Sequence, residues 1–229
     1  MLFHLKNFLL DLIFPVRCIA CKREGELLCS NCVEKIELNK KQFCPICRRE
    51  SFGGRTCVNC AKECPLTGLL VAASYEKNPG LAQAVKTLKY KFSKNLAKNL
   101  STILVNVIAK NSFDKAVLVP VPLHKKRQRW RGFNQANLLA EAISFKITLP
   151  IENLLMRTRN TPQQAKLNRQ ARLKNLSSAF ELNPGYSLKN KTVILVDDVA
   201  STGTTLIECA KVLKKGGAGE VWGLVLARG

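Results

Sequence analysis

Residues 193 to 205 join an acidic pair to a loop of small and hydroxyl-bearing side chains. A short apolar run, Val193 to Val196, leads into two adjacent carboxylates, Asp197 and Asp198. An apolar run of this length is typical of a strand buried inside a parallel sheet. The loop that follows lets backbone N–H groups converge on an anion, and its hydroxyl groups add donors. The loop residues are Ala200, Ser201, Thr202, Gly203, Thr204 and Thr205.

A helical pattern begins directly after this loop, so the positive end of a helix dipole should face the same anion. The acidic pair would repel a phosphate, but it can accept hydrogen bonds from a vicinal diol or hold Mg2+ through water. The implied ligand therefore carries a phosphate on one side and a ribose on the other. A Walker loop is excluded because no GxxxxGK[ST] sequence occurs here. The alternative is an ordinary strand with a polar turn, although a buried acid pair is costly without a partner.

Eight of the ten cysteines form four CxxC pairs near the start of the chain. Two pairs supply the four thiolates of one tetrahedral Zn2+ site, so we predict two structural zinc ions with no open position for catalysis. We favour sequential pairing, but an interleaved arrangement stays open because only seven residues separate Cys21 from Cys29. A disulfide framework is the alternative, and the lack of a secretory signal argues against it. The predicted ligands are Cys18, Cys21, Cys29, Cys32, Cys44, Cys47, Cys57 and Cys60.

The chain has a formal net charge of +21, and the excess is uneven. Residues 77–180 hold 20 basic and three acidic side chains. Such a surface favours polyanions, of which phosphodiester backbones are the commonest in a cell, although a merely soluble basic surface is the alternative. Aromatic rings among the bases are suited to stacking on nucleotides. The candidate contacts to single-stranded DNA are Lys89, Tyr90, Lys91 and Trp130.

Further strands and helices are predicted around the acidic stretch. Apolar runs predict strands at 69–75, 116–121 and 221–227, and helical spacing predicts helices from Pro79, at 93–110, 134–145 and 204–215. The strand at 116–121 ends in prolines, which predict an irregular loop, and five basic residues follow at 125–131. Cations beside the end of a strand suit an anion of the size of pyrophosphate. A central parallel sheet would bring this segment to the same edge as the acidic pair.

The stretch VDDVASTGTT resembles the phosphoribosyl pyrophosphate (PRPP) motif of type I phosphoribosyltransferases, with Ser201 where threonine is usual. Together with the cysteine pairs, VPVPLHKKRQRWRGFNQANLLA at 119–140 and the spaced set Gln164, Arg172, Asn175, Ala179 and Phe180, it makes nearly the whole chain resemble the ComF/GntX competence proteins. The resemblance implies that the acidic pair holds the ribose hydroxyls and that residues 200–205 hold the 5′-phosphate. It also implies a pyrophosphate loop at 119–131, with candidates Val121, Pro122, Lys125, Arg129 and Arg131. A flexible loop is implied at 157–177, with candidates Arg159, Gln164, Arg172 and Asn175.

The expected fold is therefore α/β, with a type I phosphoribosyltransferase domain at 67–229 and an N-terminal helix and double zinc ribbon at 1–66. The expected cofactors are two structural Zn2+ ions, and Mg2+ with PRPP. The start of the chain reads as an amphipathic helix packed on the body, or alternatively as a peripheral contact with the inner membrane surface. No stable membrane insertion is expected, because no run of eighteen apolar residues occurs.

The resemblance further implies a cytoplasmic protein that acts on incoming single-stranded DNA in natural transformation, with other DNA-uptake proteins as partners. Two other functions stay open at this point. One is a PRPP-sensing module that binds single-stranded nucleic acid without catalysis, and the other is a phosphoribosyltransferase of nucleobase salvage. The sequence identifies neither an acceptor substrate nor catalytic residues.

Overall fold

A four-stranded parallel sheet lies at the centre of the computed structural model, which describes residues 15–90, 93–113, 115–159 and 178–228. The strands are β1 (Gly68–Ala73), β2 (Ala116–Pro120), β3 (Leu155–Arg157), β4 (Phe180–Leu182), β5 (Thr192–Ala200) and β6 (Glu220–Arg228). The central sheet has the order β1–β6–β5–β2, and β3 and β4 form a separate antiparallel pair. All neighbours in the central sheet are parallel, which confirms the predicted fold class.

Helices cover both faces of this sheet. They are α1 (Ser30–Glu34), α2 (Val58–Ala61), α3 (Pro79–Tyr90), α4 (Lys94–Ile108), α5 (Lys125–Arg131), α6 (Gln135–Ile147) and α7 (Thr204–Lys215). Ile194 and Val196 of β5 join one core with α3, α4 and α6, whereas Val193 and Leu195 join a second core with α7. Because successive strand side chains point to opposite faces, the part of a strand that is covered on both faces is continuously apolar, as Val193 to Val196 are here.

The strand β5 is longer than predicted and includes the acidic pair. On one side, β2 ends with Pro120 opposite Val196. On the other side, β6 continues the ladder, pairing Val225 with Asp197 and Ala227 with Val199. The acidic pair therefore lies one step beyond the end of β2, where the carboxyl ends of parallel strands leave room for a ligand.

The cysteine-rich segment packs along the edge strand β1. Leu38 and Arg55 make isolated antiparallel bridges to Ala73 and Gly68 at the two ends of β1. The side chain of Gln42 pairs with both backbone polar groups of Val71, at 3.0 Å each. These contacts cover an edge that would otherwise expose unpaired backbone groups. The division of the chain at residue 66 stays a prediction, and β1 begins two residues later.

The remaining helices begin and end close to their predicted bounds. Ser93 caps α4, because its Oγ accepts from the backbone N–H of Leu96 at 3.1 Å, and Asn134 caps α6 in the same way. Cys209 on α7 is fully buried in the core, as its place on the apolar side of the helix predicted. Among the described helices, none combines the length and the apolar character needed to cross a membrane. The predicted N-terminal helix falls in residues 1–14, outside the described part of the chain.

Candidate functional site

The acidic pair on β5 is the centre of the candidate site. Asp198 is only 3% exposed, and its backbone N–H donates to Asp197 Oδ1 at 2.8 Å. Lys89, from the last turn of α3, places its ammonium 3.2 Å from Asp198 Oδ2. The approach does not have hydrogen-bond geometry, and within the described residues this buried oxygen has no hydrogen-bond partner. Asp198 thus keeps an acceptor available for a ligand or a metal hydrate.

The surroundings of Asp197 disfavour its ionised form. Burial raises the pKa of Asp197 well above its usual value, and the charge of Asp198 raises it further, against the opposing effect of Lys89. Tyr75, just after the end of β1, feels the same charges: burial raises its pKa, and Asp198 and Asp197 add to the rise. Tyr75 was not predicted as a site residue. Its only signal in the sequence was its position at the carboxyl end of a predicted strand.

The loop after β5 was predicted to cradle an anion. Gly203 has a positive φ of 77°, which is accessible to glycine at little cost, and it turns the chain into α7. The hydroxyl oxygens of Thr202 and Thr204 lie 2.8 Å apart. Gly203 has no side chain with which to cap α7, and the backbone N–H of Thr204 makes only a long hydrogen bond, at 3.5 Å, to the hydroxyl of Thr202. The backbone N–H groups of the first helical turn are therefore potential donors to a ligand. These donors and the helix dipole favour a phosphate group there.

Three arginines line the same cavity as the acidic pair. The cavity has a volume of about 290 Å³, and Arg127, Arg131 and Arg157 form its basic side. Burial lowers the pKa of Arg127, and Arg131 lowers it further. Burial likewise lowers the pKa of Arg157, a β3 residue, with a further effect from Arg127. A multivalent anion could offset the mutual repulsion of these positive charges.

The basic segment after β2 is a helix, so the prediction of an irregular loop was wrong beyond His124. The Nδ1 atom of His124 accepts from the backbone N–H of Lys126 at 3.2 Å, and Gly132, with a positive φ of 81°, ends the helix. Helical spacing divides the bases between two faces. Arg127 and Arg131 line the acidic cavity together with the predicted Val121 and Pro122. Lys125 and Arg129 instead line a separate groove beside Gln128 and Gly132.

The residues predicted to contact DNA lie in different places in the structure. Lys89 has its ammonium in the acidic cavity rather than on the open surface. Trp130 and Tyr90 are 71% and 60% exposed, and the guanidinium of Arg131 lies 6.0 Å from the centre of the Tyr90 ring. Lys91 lies outside the described residues. The same holds for the flexible-loop candidates Gln164, Arg172 and Asn175, whereas Arg159 is described, close after β3.

The cysteines form two groups of four, in the sequential pairing that the spacing favoured. Within each group the sulfur atoms all lie within 4.8 Å of one another. Burial opposes ionisation of Cys18, but backbone N–H groups at Cys21 and Cys29 stabilise the thiolate, and the pKa of Cys18 falls to about 6. Four converging sulfur ligands without an additional carboxylate fit a structural Zn2+ ion. The groups are Cys18, Cys21, Cys29 and Cys32, and Cys44, Cys47, Cys57 and Cys60.

Comparisons with known proteins agree with this arrangement. The model of the phosphoribosyl transferase domain family matches residues 131–229, and that of the double zinc ribbon domain matches residues 9–68. Competence protein F of Haemophilus influenzae is 32% identical over 228 residues, which cover 93% of this chain and 98% of the relative. The chain belongs to the ComF family of competence proteins. The fold class and the family resemblance predicted from the sequence are thereby confirmed.

A second relative is the DNA utilization protein YhgH of Escherichia coli K12. It is 30% identical over 225 residues, which cover 92% of this chain and 97% of the relative. Among solved structures, the glutamine PRPP amidotransferase of B. subtilis, complexed with ADP and GMP, aligns with a TM-score of 0.41 and 19% identity. That alignment covers 61% of this chain and 30% of the amidotransferase.

Proposed function

We propose that this ComF-family protein binds PRPP with Mg2+ in the cavity between the acidic pair and the three arginines. The observation that carries the proposal is the meeting of both charge types in one cavity of about 290 Å³. A ligand with a diol and a pyrophosphate satisfies both halves at once, because carboxylates accept from hydroxyls and guanidinium groups donate to phosphates. In this arrangement the ribose hydroxyls lie on Asp197 and Asp198, and the 5′-phosphate lies on residues 200–205.

The donor set fits Mg2+ as well as the sugar. Asp198 Oδ2 is buried and has no hydrogen-bond partner within the described residues, and carboxylate oxygens are the hard ligands that Mg2+ prefers. When bound, Mg2+ would neutralise charge on the pyrophosphate. Lys89 places a positive charge against the same oxygen. This ammonium limits the repulsion within the acidic pair.

The chemistry that follows binding has three candidate forms. In the enzymatic form, Arg127, Arg131 and Arg157 stabilise departing pyrophosphate while an acceptor attacks the anomeric carbon of the ribose. In the sensing form, bound PRPP only orders the site, and the output is altered binding of single-stranded nucleic acid. A salvage enzyme that takes a free nucleobase is a third candidate.

One experiment separates these forms. Protein, Mg2+ and PRPP are mixed with single-stranded DNA, with free nucleobases, or with no acceptor, and released pyrophosphate is measured. Release only with DNA supports the first form, and release only with nucleobases supports salvage. Calorimetric binding of PRPP without release supports sensing. Absence of any PRPP binding in the presence of Mg2+ contradicts the proposal as a whole.

We also propose that the protein acts on single-stranded DNA at the cytosolic side during DNA uptake, soluble or peripherally attached, with other uptake proteins. The support is the basic surface with the exposed rings of Trp130 and Tyr90, and the names of the relatives, which refer to competence and DNA utilization. Binding of single strands and duplex is compared over a series of salt concentrations. Since stacking is insensitive to salt and hard for a duplex to use, the preference for single strands should persist as salt rises. If single strands and duplex bind equally, and rising salt weakens both in parallel, the protein has only a general cationic surface.

A further inference from the structure

Phe52 is the most exposed of the large apolar side chains in the described part of the chain, at 96%. It lies between the two cysteine pairs of the second zinc ribbon, on a single 3-10 turn, Phe52–Gly54. An isolated exposed apolar residue is ordinary on a protein surface. Phe52 differs because the turn that presents it is fixed in place and because its surroundings are basic.

The turn is clamped to the central sheet. Gly53 and Gly54 both have positive φ, at 57° and 74°. Residues with a side chain rarely adopt this left-handed backbone conformation, whereas glycine does so at little cost. Gly54 is buried against β1 so closely that a Cβ atom there would lie 2.4 Å from the carbonyl oxygen of Leu69. The backbone N–H of Arg55, the next residue, donates a hydrogen bond to the carbonyl oxygen of Phe52 at 3.2 Å, and Arg55 forms an antiparallel β-bridge with Gly68. The ring of Phe52 is therefore held at the surface by a backbone that cannot easily rearrange.

The ring borders a groove with a volume of about 470 Å³ between the ribbon and α4. Lys40, Lys41 and Lys110 line this groove, and among the described residues Glu50 is the one acidic side chain that lines it. Lys41 pairs with Glu50 at 2.6 Å, which leaves the charges of Lys40 and Lys110 in excess. The groove shares no lining residue with the acidic cavity. It is therefore a separate surface that the PRPP site does not explain.

We propose that Phe52 and this groove form a binding site for one nucleotide of a single-stranded nucleic acid. The base stacks on the Phe52 ring, and the adjacent phosphates lie against Lys40 and Lys110. An aromatic face that is 96% exposed, beside ammonium groups that form no ion pair within the described residues, matches the alternation of flat bases and phosphates along a single strand. A duplex cannot use the ring, because its bases are already stacked on one another. The inference rests on the proposed binding of single-stranded DNA, but it adds a second contact surface to the segment around Trp130.

The test measures the affinity of the full zinc-loaded protein for a fluorescent oligothymidylate and for an abasic strand of equal length. Stacking of one base predicts that Phe52→Ala weakens binding to oligothymidylate by roughly fivefold to hundredfold. The same substitution should leave binding to the abasic strand unchanged, because no base is present to stack. Phe52→Trp should retain affinity. The matched control is Phe145→Ala, since Phe145 is also highly exposed, at 85%, but lies outside the groove.

A second variant tests the phosphate contacts. Lys110→Gln should reduce the slope of log affinity against log salt by about 0.7, the value for one phosphate on a single strand. Equal affinity of Phe52→Ala and wild type for oligothymidylate overturns the inference while leaving the proposed function intact. An equal loss on both strands also overturns it, because the ring would then act through structure alone. If the wild-type protein binds no single-stranded DNA, the DNA half of the proposed function fails and the inference fails with it.

Discussion

Asp198→Asn is the substitution that most directly tests the PRPP site. Asparagine keeps the volume of the side chain and one of its two oxygens, so the buried position on β5 stays filled. The substitution removes the negative charge that faces Lys89. The same charge would face the ribose diol or the hydrated Mg2+ of the proposed ligand. Since the cysteine groups and α7 do not depend on this carboxylate, the zinc content and the overall fold should be preserved.

The expected magnitude follows from the contacts that the oxygen can make. Asp198 Oδ2 has no hydrogen-bond partner within the described residues, although the Lys89 ammonium lies 3.2 Å away, so it can accept a hydrogen bond from the ligand. A hydrogen bond to a charged group contributes about 1.5–3 kcal/mol. Replacing the carboxylate by an amide removes one such contact, and each 1.4 kcal/mol corresponds to about tenfold in affinity. We therefore expect PRPP affinity to fall by roughly tenfold to hundredfold.

The assay is a calorimetric titration of PRPP in the presence of Mg2+, with bound zinc determined on the same samples. Glu141→Gln is the matched control, because it removes a carboxylate from α6 that does not line the acidic cavity. Wild type and the control should bind alike, and Asp198→Asn should bind weakly with unchanged zinc. Equal PRPP affinity in wild type and Asp198→Asn would refute the assignment of the ribose to the acidic pair.

Four further predictions follow from the same geometry. Arg127→Met should weaken PRPP binding in calorimetry, whereas Arg129→Met should not, because of these two arginines only Arg127 lines the acidic cavity. Similar losses of affinity for both variants would contradict the assignment of the two arginines to different faces of α5. Cys44→Ser should lower the zinc measured by elemental analysis from about two ions per chain to about one, and an unchanged count would exclude this residue as a ligand. Burial and Asp198 raise the pKa of Asp197 above its unfolded value of about 3.9, so stability is lost as pH rises through the folded pKa. Asp197→Asn should therefore unfold at a higher temperature than wild type at neutral pH without Mg2+, and this advantage should disappear in acid; no difference at either pH would speak against the raised pKa. Trp130→Ala should weaken binding of single strands by roughly fivefold or more without affecting duplex binding, and a parallel loss for both would indicate a charge effect alone.

Features that lie within one short segment could be predicted from the sequence. The strand, acidic pair and hydroxyl loop at 193–205 are contiguous, so side-chain type and order already specify their relation. The same is true of each CxxC pair, because two-residue spacing brings both thiolates to one ion. Sequential pairing of the clusters also followed from spacing, although the short gap after Cys21 left another arrangement open. The length of β5 was underestimated, since its extension depends on β6 running alongside beyond the end of β2.

The tertiary structure decided which distant residues meet. Lys89 lies beside Asp198 because α3 packs on the sheet, and no local pattern joins positions so far apart in the chain. Arg157 reaches the cavity from β3, and Tyr75 reaches the acidic pair from the end of β1. The bases at 125–131 were visible as a cluster, but only the helical conformation separates the face that points to the acidic pair from the face that does not. Local spacing determines what one segment can bind, whereas the composition of a site between segments depends on packing over the whole domain.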